Sequence, residues 1–151
     1  METFEGQNWG VLKTVKVIEL SKLSFSEFQN PIDFDDISID IGYDFEEIPH
    51  IFESAGFSDL EGRESGNMVF NKKVGLTIPK LRTESSAFLK TYENRKLALL
   101  VTDMNDESHL VYPVRMSRQR NIPGQASGLN ATRVEFTGQW NGESPIVTNV
   151  T

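Results

Sequence analysis

The sequence predicts a mainly β fold: an antiparallel β-sandwich or barrel with one flanking α-helix. Three observations predict it. Apolar and polar residues alternate at several places, most plainly at Ile37, Ile39 and Ile41 and again from Met68 to Ile78. Period-two patterning belongs to strands with one buried and one wet face. Short candidate strands are separated by turn residues at fairly regular intervals, as in sandwiches and barrels. One stretch, about 83–95, carries a helical stripe instead.

The elements follow in order. Val11 to Leu20 mixes β-branched residues with lysines and is expected to be a strand. Ser21 to Pro31 is loop-like, with Phe25 and Phe28 able to pin it to the core. The Ile37–Ile41 alternation predicts a strand that continues past Gly42 toward Ile48 and stops at Pro49, which has no N–H to donate. Ile51 to Phe57 is ambiguous between strand and helical turn. Ser58 to Asn67, with Gly62 and Gly66, is expected to be an exposed loop. Met68 to Ile78 forms a strand with Met68, Phe70, Val74, Leu76 and Ile78 on one face.

In the helix, Thr83 can cap, Glu84 suits the positive end of the dipole, and Phe88, Leu89 and Tyr92 form the apolar stripe. Lys96 to Thr102 is almost wholly apolar, which predicts a central strand covered on both faces. Asp103 to Ser108 is a polar turn. His109 to Met116 returns as a hairpin partner, with Leu110, Tyr112, Val114 and Met116 on one face; Pro113 implies an edge position or a bulge. Ser117 to Asn130 is expected to be a long basic loop, and Ala131 to Trp140 the last strand. The expected core holds Ile37, Ile39, Ile41, Val74, Leu76, Leu99, Val101, Val114 and Phe136 together. One domain covers 1–151, with extended arms at about 1–10 and 141–151 that become ordered on assembly.

At 151 residues the chain suffices for one core without staples. It has no cysteine, so disulfides, thiolate metal sites and cysteine nucleophiles are excluded together. Met1 to Gly10 lacks the basic start and apolar run of a signal peptide, and no apolar stretch approaches the ~20 residues that cross a bilayer. The expectation is synthesis in a cytosol, with no membrane partner. A net charge of −7 disfavours binding to phosphate backbones, so sequence-specific nucleic-acid recognition is not expected.

Catalytic and cofactor motifs are missing. His50 and His109 stand alone, and the chain has neither a phosphate-binding glycine loop nor a G-x-S-x-G elbow. Asp103, Asn105 and Asp106 begin like a calcium loop, but Ser108 and Val114 occupy the positions of its glycine and its bidentate glutamate. No catalytic residue, metal or cofactor is assigned, and the chain is expected not to be an enzyme.

The charge is uneven along the chain. Acids dominate from Asp33 to Glu64, whereas Arg115, Arg118, Arg120 and Arg133 fall in an acid-free stretch from His109 to Arg133. Arginine's planar fork suits bidentate pairing with carboxylates at interfaces. Arg115, Arg118 and Arg120, facing Asp33, Asp35 and Asp36 of a neighbour, are therefore the candidate subunit interface, to which Trp140 is added. Trp9 and Trp140 are candidates to pair across the first and last strands, or to anchor a partner.

The order of elements, with the helix at Thr83–Arg95, the strand ending Leu100 to Asp103, its return from His109 to Arg115 and the final strand Thr132 to Gly138, resembles small virion proteins of tailed bacteriophages, of the tail-tube, tail-completion and neck-ring kind. The resemblance is one of style and element order over roughly Val11 to Gly138. It implies a virion-located, non-enzymatic subunit that forms a ring or tube in the tail or at the head–tail junction. Its partners would be copies of itself and neighbouring virion proteins. The alternative is a β-sandwich binding module for a glycan or protein, with Trp9, Trp140 or Tyr112 as its platform. A small hydrolase is a third class.

Overall fold

A computed structural model describes residues 11–26, 29–50, 54–64, 66–79, 83–121 and 131–150. It is mainly β and antiparallel, as the patterning predicts. The strands are β1 (Leu12–Glu19), β2 (Leu23–Ser24), β3 (Ile32–Asp33), β4 (Ser38–Ile39), β5 (Glu46–Glu47), β6 (Gly56–Glu64) and β7 (Asn67–Pro79). The helix α1 (Thr83–Thr91) follows, then β8 (Leu97–Asp103), β9 (Ser108–Asn121), β10 (Ala131–Trp140) and β11 (Ile146–Thr148). The main sheet runs β5-β1-β8-β9-β10-β7-β6, with β11 paired to both β9 and β3 and a separate small β2–β4 ladder. No helix among the described residues is long and apolar enough to cross a membrane.

β8 explains its own composition. Leu97, Leu99 and Val101 point into one apolar cluster with Val15, Val17, Val74, Leu76, Val134 and Phe136, which is covered by Leu89 of α1 and by Tyr92 just beyond it. The alternate residues Ala98 and Leu100 point into a second cluster with Ile18, Ile32, Ile37, Leu110, Tyr112 and Val147. A strand buried on both faces has no polar side, so the alternation vanishes from its sequence.

β9 joins the two layers. Its first half pairs with β8, and its second half, from Arg115, pairs with β10. Between them the register slips: Leu99 faces Val111 but Leu97 faces Val114. That extra residue is the bulge Pro113 implied, and the edge alternative falls because β9 is flanked by strands on both sides. The bulge also breaks the expected single face. Leu110 and Tyr112 belong to the second cluster, whereas Val114 and Met116 belong to the first. At the kink the chains touch: a Cβ on Gly138 of β10 would stand 1.9 Å from the Pro113 carbonyl oxygen.

Several sequence expectations are corrected. The described residues form two apolar clusters rather than one core. Ile37 is buried and Ile39 half-buried in the second cluster, but Ile41 is fully exposed in the turn before Gly42, whose φ is +88°. The three isoleucines do not share a strand, because a 3-10 turn at Phe34–Asp36 and the turn at Ile41–Gly42 leave β4 two residues long. The expected loop from Ser58 to Asn67 is mostly β6, a polar strand paired residue for residue with β7. Residues 117–121 of the expected basic loop are part of β9; residues 122–130 lie outside the described residues. The helix ends at Thr91 rather than Arg95. The C-terminal arm is docked on its own chain through β11, with Ser144, Pro145 and Val147 buried. The N-terminal arm, Trp9 and Phe28 lie outside the described residues.

Candidate functional site

The most developed polar cluster lies where the C-terminal segment meets the β6–β7 hairpin. Lys72 falls on the inward-facing parity of β7, between Phe70 and Val74, so the strand's own geometry carries it inside, where it is 2% exposed. Asp59 stands directly opposite it on β6. The Lys72 ammonium donates to Ser144 Oγ at 2.8 Å and to Asp59 Oδ1 at 3.4 Å. The backbone N–H of Ser144 donates to Asp59 Oδ2 at 2.7 Å. Burial pulls Lys72 below the usual lysine value, while the Asp59 and Glu143 carboxylates act against that shift. A buried charge needs such partners, or the desolvation cost is uncompensated.

A serine hydroxyl beside a lysine of lowered pKa is one way to activate a nucleophile. Here the lysine is shared with a carboxylate that favours its charged form, and Ser144 is only 6% exposed. One neighbouring cleft is lined by Lys72, Asn71 and Gln139, another by Gly142, Glu143 and Pro145, and neither has Ser144 in its wall. The arrangement ties three separate segments together. Sequence reasoning missed it because Asp59 was assigned to a loop. The available signal was a lysine on an otherwise apolar parity.

The same C-terminal segment is held elsewhere. Asn30 Nδ2 donates to Glu143 Oε1 at 3.2 Å, Ile146 N donates to Asn30 Oδ1 at 3.0 Å, and Asn149 Nδ2 donates to Asp33 Oδ2 at 2.7 Å. Asp33 thus has two local tasks, since its other oxygen accepts from Asp35 N and caps the short 3-10 turn. Asp35 and Asp36 are exposed on that turn.

The arginines stand on β9 rather than on a loop. Arg118 pairs with Glu93, just beyond α1, within its own chain. Arg115 is exposed, opposite Thr137 of β10, and has no ion pair among the described residues. The Arg120 backbone is opposite Thr132. Arg133 lies on the exposed face across β7, donating to the Ser54 carbonyl at 3.1 Å and to Thr77 Oγ1 at 3.3 Å. Among the described residues, no arginine is paired with Asp33, Asp35 or Asp36. Trp140 is half-buried in the second cluster, its ring 6.2 Å from that of Tyr112.

The histidines remain apart. His50 Nδ1 lies 3.2 Å from the Ile48 carbonyl, and His109 Nε2 lies 3.2 Å from Glu107 with its ring against Phe57. No group of three or more metal-ligating side chains occurs among the described residues. The calcium-like run is a hairpin turn: Asp103 Oδ1 accepts from the backbone of Asn105 and of Glu107 at 2.8 and 3.0 Å. Comparison with family models, with curated proteins and with solved structures returned no match.

Proposed function

We propose that this chain is a non-enzymatic structural subunit that associates with copies of itself in a larger particle, of the ring- or tube-forming kind its element order resembles in tailed-phage virions. The observation that carries this reading is the open end of the main sheet. β6 is a nine-residue terminal strand with β7 as its one strand neighbour among the described residues, and Leu60 on it is 68% exposed. Long uncovered edges are templates for pairing with another chain. The polar groups support the same direction: those placed by the fold stitch the chain to itself, as Lys72 and Asp33 do. The test is size-exclusion chromatography with light scattering, followed by negative-stain microscopy. A concentration-dependent oligomer forming rings or tubes is expected; a monomer at every concentration overturns the reading.

A specific observation favours a second reading, a glycan-binding module. A cleft of about 180 Å³ is lined by Trp140 and Tyr112 together with Gln29, Asn30 and Glu143. Aromatic side chains beside amide and carboxylate groups suit a sugar ring. Titrating the protein with a panel of mono- and oligosaccharides while following tryptophan fluorescence decides it; an unchanged spectrum at millimolar sugar rejects it.

A further inference from the structure

We infer that two copies of this chain join edge to edge through β6, antiparallel, about a two-fold axis at Gly62. The inference rests on the reading that copies associate, and it names the contact.

Sheet edges are normally blunted by shortness, proline, a bulge or inward-pointing charges. The opposite end of the main sheet follows that rule, because β5 is two residues long. β6 carries one such device, Asp59, which turns toward Lys72, but its nine residues include no proline and its pairing with β7 runs from Gly56 to Glu64 without a slip. Among its described side chains the exposed charges are Glu61 and Arg63, of opposite sign and both on the face of Asp59.

Two identical strands pairing antiparallel are related by an axis normal to the sheet. Opposed residues must share a face, so the axis passes through a residue and the alternatives differ by whole residues. Centring on Asp59, on Glu61 or on Arg63 sets that charge against itself. Centring on Leu60 sets Asp59 against Glu61 of the other copy twice. Centring on Phe57 or Ser58 opposes no like charges but forms no opposite pair, whereas centring on Gly62 sets Glu61 against Arg63 twice, also with no like charges opposed. In that register Gly62 meets Gly62, so no side chains are opposed at the axis. The overlap runs from Leu60 to Glu64, which brings the exposed Leu60 against the second copy. The contact is short and therefore weak alone, and it gains effect when many copies are held in one particle.

The test uses the full chain with a charge-swap pair. Glu61→Arg and Arg63→Glu each make the contact like-charged. Mixed together, the two variants restore Arg against Glu at both positions. Sedimentation at low salt is expected to show each single variant associating about tenfold more weakly than the parent, and the equimolar mixture recovering. Because the chain has no cysteine, Gly62→Cys can be oxidised on a clean background, and it should form a covalent dimer faster than Leu60→Cys. A mixture no stronger than its components, or equal oxidation of the two cysteine variants, overturns the inference. If the particles form unchanged in every variant, self-association stands and this contact is wrong. If the parent sediments as a monomer at all concentrations, both fail. Unchanged circular dichroism of each variant confirms that folding is not what is read.

Discussion

Asp59 and Lys72 face one another across the β6–β7 hairpin, and both reach Ser144, which belongs to a segment more than seventy residues further along the chain. The two partners are not equivalent. The Lys72 side chain is 1% exposed and that of Asp59 is 16% exposed. Removing the carboxylate strands a buried ammonium, whereas replacing the lysine with an apolar side chain of similar length removes the charge altogether. Asp59→Ala is therefore expected to cost about 3–5 kcal/mol and Lys72→Met less than about 2 kcal/mol. Urea denaturation of both variants checks the order; equal losses would mean that Lys72 is not buried as described.

The same lysine sets a pH dependence. Its value is lowered from 10.5 chiefly by burial, so the unfolded chain holds that proton more firmly than the folded one. The cost of the buried charge is present in full below the lowered value. Stability contributed by this residue rises with pH through that value up to 10.5. Tyr92 acts in the opposite sense: burial, with Glu46 and Glu19 nearby, pushes its hydroxyl up to about 12, so its contribution is lost as pH rises from 10 toward 12. Comparing the parent with Lys72→Met over roughly pH 7 to 10 isolates the lysine. The difference between them should shift in the parent's favour as pH rises, and a flat difference rejects the linkage.

Gly138 is required by close approach rather than by backbone conformation. Any β-carbon there would overlap the Pro113 carbonyl. Gly138→Ala is expected to destabilise by about 1–3 kcal/mol as the β9 bulge and β10 are pushed apart. Thermal denaturation measures it, and an unchanged midpoint would place the two strands further apart than described.

Leu99 is fully buried at the centre of the first cluster. Leu99→Ala leaves a cavity and is expected to cost about 2–5 kcal/mol. A loss below 1 kcal/mol in chemical denaturation would show that this cluster is loosely packed.

The Arg118–Glu93 pair is partly exposed, with side chains 28% and 40% accessible. A double-mutant cycle with alanine should give less than about 1 kcal/mol of coupling, shrinking as salt is added. Coupling that persists at high salt would mark the pair as structural.

β8 was legible in the sequence because a strand with no polar side must be covered on both faces. The inward parity of β7 and the apolar stripe of α1 were legible for a similar reason: local periodicity records which face meets apolar surroundings. β6 was not, since an edge strand with glycines and exposed charges has the composition of a loop, and only its pairing with β7 makes it a strand. Ile41 misled because alternation says nothing of where a strand stops, and the turn at Gly42 stops it. In the candidate site, Arg115, Arg118 and Asp33 were visible as charges, but Asp33 is paired with Asn149 and Arg118 with Glu93, choices made by neighbours far away in sequence. The Lys72–Asp59–Ser144 tie was invisible for the same reason. By itself the sequence determined the β class, the helix and the lack of thiol chemistry, since composition and short-range period are properties of adjacent residues. The tertiary structure alone decided the strand order, the choice of a bulge over an edge at Pro113 and the partners of each buried charge. Those depend on which distant segments pack together, and hydrogen bonds and desolvation act through space rather than along the chain.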